Sequence, residues 1–261
     1  MKDETYHNCA TLTGHEGPVW QVAWAHPKFG VILASCSYDG SVIIYRESLQ
    51  NTWTKVYEHK FHDSSVNSIA WAPHEFGLIL ACASSDGRIS TLEHKVDTWI
   101  LKDFKNDTLG CNAVSWAPFG AFDCKANANQ DGQNNSVMRL VTGSCDNVVR
   151  FWRYSAESND WEKEGTDNTP HTDWVRDVAW APNTAMPYNI VASCSEDKSV
   201  HIWSENEAGH WSCQLMNTFD APVWRTSWSV TGNVLAVSTG DHQVTLWKQS
   251  VDEKWVQMGD V

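Results

Sequence analysis

Residues Gly14–Tyr45 read GHEGPVWQVAWAHPKFGVILASCSYDGSVIIY. Three apolar runs in it, VWQVAW, VILASCS and SVIIY, are rich in β-branched residues and separated by turn formers, the pattern of three short strands. The order recurs from His62 to Leu92 as HDSSVNSIAWAPHEFGLILACASSDGRISTL. From Cys111 it returns as CNAVSWAP and then LVTGSCDNVVRFW, ending at Trp152. From His171 it is HTDWVRDVAWAP and then IVASCSEDKSVHIW, ending at Trp203. The last copy, APVWRTSWSVTGNVLAVSTGDHQVTLW, ends at Trp247. Two marks hold their register throughout. A tryptophan closes the first strand at Trp24, Trp71, Trp116, Trp180 and Trp228. An aspartate precedes the third strand at Asp39, Asp86, Asp146, Asp197 and Asp241.

A repeat of about 45 residues with these marks is the signature of WD-type blades in a β-propeller. The fold expected is therefore all-β. One domain over 1–261 holds about five blades, with repeats at about 14–45, 62–92, 107–152, 171–203 and 219–247. A lone blade cannot hide both faces and must stack on its neighbours. Outer strands are expected at Thr52–Glu58, Thr98–Phe104, Asp160–Glu164, Trp211–Phe219 and Lys254–Met258, most opening near a tryptophan. Tyr6–Leu12 reads as one more outer strand, before the first Gly-His. The stretch 119–137, rich in Asn, Asp and Gln, is expected to be a mobile insertion between two strands of the third blade.

Composition narrows the function classes. The net charge of −13 argues against nucleic acid or an anionic membrane surface, both of which need a basic footprint. No apolar run approaches the length of a membrane span, and the polar start MKDETYHNCATL does not read as a secretory signal. Sixteen tryptophans sit mostly at matched repeat positions, so they read first as core. Among the eight cysteines, Cys36 and Cys194 fall at one blade position and Cys82 and Cys145 lie close to it. Equivalent positions in different blades are too far apart to pair. Reduced, buried thiols of a cytosolic or nuclear protein are expected, and the sequons at Asn106 and Asn134 are chance matches.

His15, Ser35 and Asp39 look like a catalytic triad, as do His171, Ser193 and Asp197. The stronger reading is structural: in WD repeats such residues, with a closing Trp, form a hydrogen-bonded tetrad that pins the blade. It is complete only in the fourth repeat, through Trp203. The first repeat ends in Tyr45, the second has Cys82 and Leu92, the third Asp107 in the His place, and the fifth Phe219 and Val237. A structural device tolerates such erosion copy by copy, whereas catalysis needs one intact site. No catalytic, cofactor or metal site is expected. Trp20, Asn67, Asn112, Arg176 and Trp224, with Trp174 beside them, follow the start of each first strand. They line the channel mouth, where Trp and Arg suit a protein-binding hot spot or simply plug the channel.

GHEGPVWQVAWAHP, HDSSVNSIAWAPHEFGLILACASSDG, GCNAVSWAP, DWVRDVAWAP and NVLAVSTGDHQVTLWK together resemble the small WD-repeat propeller subunits of the COPII outer coat, a family shared with the nuclear pore scaffold. The resemblance spans Leu12 to Asp260. It implies an open ring of six blades, closed when a large outer-coat COPII subunit or a nuclear pore scaffold protein inserts a blade in trans. It also implies a cytoplasmic place on vesicle coats at the endoplasmic reticulum and at the pore, and a role in a lysosomal or vacuolar nutrient-signalling complex. Five repeats are legible here, so the family's first blade would precede Tyr6. The partner site carries over to the last blade, at Trp228, Leu235, Val237, Val244, Trp255 and Val256. Rival readings are a pore-only propeller and a substrate-recognition propeller of a ubiquitin ligase. The ligase reading would want several basic rim residues, where only Arg176 and Arg225 qualify.

Overall fold

In a computed structural model, residues 7–121, 136–182, 188–252 and 254–259 are described. The alternating apolar runs form five four-stranded antiparallel sheets, each a simple meander. The first blade is β1 (Val19–Trp24), β2 (Ile32–Ser37), β3 (Val42–Leu49) and β4 (Thr52–His59). The second is β5 (Val66–Trp71), β6 (Ile79–Ser84), β7 (Arg88–Lys95) and β8 (Thr98–Lys105). The third is β9 (Cys111–Trp116), β10 (Arg139–Ser144), β11 (Val149–Ser155) and β12 (Asp160–Asn168). The fourth is β13 (Val175–Trp180), β14 (Ile190–Ser195), β15 (Ser199–Glu205) and β16 (Trp211–Thr218). The fifth is β17 (Val223–Trp228), β18 (Val234–Thr239), β19 (Val244–Gln249) and β20 (Trp255–Gln257). Among the described residues, no helix is long and apolar enough to cross a membrane.

The expected outer strand at Tyr6–Leu12 is corrected: residues 7–12 carry no strand. A fourth strand is held by the third strand of its own sheet, and every third strand here already has its partner. The insertion over 119–137 lies mostly outside the described residues, as does Asn134.

Each blade turns from its second to its third strand through the periodic aspartate. The residue after it is left-handed in all five blades: Gly40, Gly87, Asn147, Lys198 and His242. Its N–H closes onto the last residue of the second strand, as Gly40 N–H does on Ser37 O. A tight turn followed by one left-handed residue makes such a hairpin. Asp39 completes it by accepting the Ser41 N–H at 2.8 Å. Gly suits the left-handed place best, yet Lys198 and His242 are tolerated where the Asp bonds hold the turn.

Apolar side chains from the two faces of each blade build the cores between blades. Ala34, Cys36, Val42 and Ile44 of the first blade pack against Val66, Ile69, Leu80 and Leu92 of the second. Three further clusters join second to third, third to fourth and fourth to fifth. Five blades thus share four cores among the described residues. A closed ring would need a fifth core, between the fifth blade and the first, so the propeller is open. The seven described cysteines are all free thiols. Burial pushes the Cys36 thiol up to about 12, which suits an inert, apolar filler.

Candidate functional site

The polar tetrad is most complete in the fourth blade. Trp203 Nε1 donates to Ser193 Oγ at 2.9 Å. Ser193 Oγ lies 2.8 Å from His171 Nε2, and His171 Nδ1 lies 3.0 Å from Asp197 Oδ2. With the proton on Nδ1, Ser193 donates to His171 and His171 to Asp197, so every buried donor meets an acceptor. Asp197 also takes the N–H groups of Thr172 and Ser199. Burial pushes its carboxyl up, but the bonds from His171, Ser199 and Thr172 win and hold it well below the usual carboxylate range. Ser193 is fully buried.

The other blades keep the device with different atoms. In the first, His15 meets Ser35 at 2.7 Å and Asp39 at 3.1 Å, and Tyr45 turns its hydroxyl to Thr13 O. In the second, His62 meets Asp86 at 2.8 Å, and its Nε2 finds Ser90 on β7, directly opposite Cys82. In the third, Asp107 is not the stand-in for His. Asn106 is: it donates to Ser144 at 2.6 Å and accepts from Thr142, which in turn accepts from Trp152. Asp107 instead accepts the N–H groups of Leu109 and Gly110. Asn106 is thereby buried, away from any glycosylating enzyme. The fifth blade replaces the polar set by Phe219 packed on Trp247.

Both periodic tryptophans of a blade meet each other. The ring pairs Trp24–Trp53, Trp71–Trp99, Trp116–Trp161, Trp180–Trp211 and Trp228–Trp255 have centroids 5.5 to 6.4 Å apart. In three of the five blades the first member also ties its blade to the one before, whereas Trp180 Nε1 is buried without such a bond. Trp71, Trp116 and Trp228 donate their indole N–H to the carbonyls of Ala23, Ala70 and Ala179 at 2.8 to 3.0 Å. Trp24 meets no preceding blade among the described residues and is 59 % exposed.

At the channel mouth the sequence-selected residues are brought into one ring. Trp20 Nε1 donates to Ser65 Oγ, Asn67 Nδ2 to Cys111 O, and Asn112 Nδ2 to Val175 O. The Arg176 guanidinium lies 5.1 Å from the Trp174 ring centroid and 4.7 Å from that of Trp224, with an ion pair to Glu196. These side chains already bridge blades, which favours the plugging role over the docking one.

The open flank has two walls. On the first blade, Val19, Val22 and Trp24 are about half exposed, and Val22 and Trp24 face away from the second blade. On the fifth, the expected wall is corrected for four of its six residues. Leu235 and Val237 are fully buried against the fourth blade, Trp228 bonds Ala179 O, and Trp255 packs on Trp228 in the same core. Strand alternation puts these on one face. The bare face is the other one, with Val244 at 69 % and Val256 at 48 % exposure, and Ala236 and Leu246 paired between them. Sequence reasoning missed Val22 and Trp24, which look like any other copy.

The comparisons with known proteins agree with this architecture. The family model of the WD domain, G-beta repeat, matches residues 7–46, 99–153, 164–204 and 213–248, more than half of the chain. That of the anaphase-promoting complex subunit 4 WD40 domain matches 27–119. The chain is 49 % identical over 253 residues to Protein SEC13 homolog of Drosophila melanogaster, covering 95 % of this chain and 70 % of that protein. It is 45 % identical over 272 residues to Protein transport protein sec13 of Aspergillus fumigatus, covering 100 % and 87 %. Protein SEC13 homolog of Dictyostelium discoideum is 49 % identical over 253 residues, covering 97 % and 83 %.

Proposed function

The chain belongs to the Sec13 family of WD-repeat proteins, and from that premise we propose that it is a structural subunit in protein transport. In this reading it is the small propeller of the COPII outer coat, carrying cargo vesicles from the endoplasmic reticulum to the Golgi. It sits peripherally on the coat in the cytoplasm, and it also serves the nuclear pore scaffold and a nutrient-signalling complex.

The observation that carries the reading is the pair of bare walls on either side of one gap. Val19, Val22 and Trp24 line one, and Val244 and Val256 the other. Exposed apolar surface on a blade flank calls for a covering sheet. In the family's arrangement a large helical subunit lends one sheet to the fifth-blade wall, and a further blade of the propeller itself covers the first-blade wall. The protein itself then works by shape and stiffness. A non-enzymatic role is supported by the burial of the Ser193 hydroxyl, which a substrate does not reach.

The ligase reading is weakened at its own residues. Arg176 is paired with Glu196, and Arg225 Nη1 lies 3.7 Å from Asp177, so neither offers a free cation to a phosphorylated peptide. Affinity purification from cell extract decides between the readings. A long helical coat protein in near-equal amount is expected, and Val22→Asp with Val244→Asp should abolish its recovery. Recovery of ligase subunits instead, or of the coat protein by the double variant, would overturn the proposal.

A further inference from the structure

Neighbouring blades leave a groove between their outer strands, and at two joints the chain fills it with a cation of its own. At the second joint Lys102 reaches across to the Tyr154 hydroxyl and to Asn159 Oδ1 at 2.8 Å, with its ammonium 4.6 Å from the Tyr154 ring centroid. The acid of that wall, Glu93, is paired with Lys95 at 2.7 Å. At the third joint Arg139 lies 5.3 Å from the Trp180 ring centroid and donates to Glu205 at 2.8 Å.

The first joint has the same groove without such a filling. Its cleft measures about 790 Å³, against about 340 Å³ at the second joint, a size that suits a bound ligand. Ile32, Ile44 and Tyr57 of the first blade and Leu78 and Trp99 of the second make its floor apolar. Opposite Thr91 the second blade has Lys102, whereas opposite Ile44 the first blade has Tyr57, whose ring stacks on Trp99 with centroids 5.3 Å apart. That ring brings no charge to the rim. Arg46, paired with Ile32, holds the place that Glu93, paired with Ile79, has in the second blade, and Ser48 stands where Lys95 would serve it. On the other wall His94 is the counterpart of Tyr154, since His94 N–H bonds Leu78 O as Tyr154 N–H bonds Met138 O. Asp97 takes the left-handed turn place of Asn159. Among the described residues, neither the Arg46 guanidinium nor the Asp97 carboxylate has a hydrogen bond or an ion pair. An apolar cleft is thus flanked by a cation on one wall and a carboxylate on the other.

We propose that this cleft binds an extended segment of another protein in which an apolar side chain is flanked by an acidic residue on one side and a basic residue on the other. The apolar side chain enters beside Val56 and Leu78. The carboxylate meets Arg46, and the cation meets Asp97 beside the His94 and Trp99 rings, as Lys102 meets Asn159 beside Tyr154. A segment of uniform charge would meet its own sign at one rim, and that selects the mixed one. Both walls of the cleft are present in the chain, so it owes nothing to what fills the gap beyond the fifth blade.

The test measures binding of short fluorescein-labelled peptides to the full chain by fluorescence anisotropy. Each peptide has leucine and phenylalanine at its centre. The ends are glutamates at one and lysines at the other, in both orders, or glutamates at both, or lysines at both. A mixed peptide should bind the wild-type chain about fivefold more tightly than either uniform one. Arg46→Glu should turn the preference to the peptide with two basic ends, and Asp97→Lys to the one with two acidic ends. The double variant Arg46→Glu/Asp97→Lys should bring the mixed preference back. Val56→Asp should weaken binding of the mixed peptides at least about tenfold. All three positions are exposed, so melting temperatures should stay near that of wild type. Should Asp97→Lys lower it at the left-handed turn, Asp97→Asn should erase the discrimination between mixed and acidic peptides. A wild-type chain that binds uniform peptides as tightly as mixed ones, or that binds none of them, overturns the proposal, as does a preference that Arg46→Glu leaves unmoved. Self-association of the wild-type chain that Val56→Asp abolishes would put a second copy in the cleft and overturn it too.

Discussion

The first and fourth blades open on nearly the same strand, VWQVAW at Val19–Trp24 and VRDVAW at Val175–Trp180. Both blades carry the His–Ser–Asp bonds at matching distances. Yet Val22 is 56 % exposed and its counterpart Val178 3 %, while Trp24 is 59 % exposed and Trp180 6 %. Local sequence builds the blade, and the neighbour decides what a given side chain is for. In the fourth blade these residues are core. In the first they are surface among the described residues.

The contrast is sharpest for a buried charge. Val178→Asp should cost at least ~4 kcal/mol and prevent stable folding, because the carboxylate has no partner in that core. Val22→Asp should stay within about 0.5 kcal/mol of wild type, as surface changes do. Equal losses in denaturant melts would mean that the first blade is covered in the isolated chain. A smaller gap is expected between the tryptophans. Trp203→Ala should cost about 3–5 kcal/mol through its cavity and the lost bond to Ser193, whereas Trp24→Ala should cost less than about 1 kcal/mol.

The smallest effect is a difference in pH response. The fourth blade has His201 and Asp177 where the first has Ile43 and Gln21. Burial, then the neighbouring His171, holds His201 down at about 4, against 6.5 for a free ring. Its neutral form is favoured by the fold, so that stability is whole above pH 6.5 and drains away as pH falls toward 4. Burial raises Asp177 to about 6 from 3.8. Its contribution has the opposite sign, and stability is lost as pH rises through that window. His201→Asn should therefore flatten the acid limb of a stability-versus-pH curve. Asp177→Asn should steepen it and gain most above pH 6. Unchanged curves for both would place the acid sensitivity outside the fourth blade.

Most of the architecture was legible in the chain because its devices are local. The aspartate turns and the alternating strands need only a few adjacent residues. The outer strands expected from Trp53, Trp99, Trp161, Trp211 and Trp255 begin within a residue of where they are found. What escaped was set by contacts between distant residues. Asn106 replaces a histidine from one position off register because Thr142 and Ser144 lie within its reach. Ser90 serves His62 from the opposite strand once Cys82 has taken the usual place. The facing of Leu235 and Val237 follows from which side the fourth blade occupies, and no property of VLAVST alone says which side that is.

Amide hydrogen exchange on the chain, alone and with the large outer-coat COPII subunit, tests the open-flank account most directly. Bound partner should protect the strands β18 and β19 of the fifth blade and leave β13 at a slow rate. Protection confined to the channel mouth around Trp174 and Arg176, with β18 and β19 exchanging as before, would contradict it.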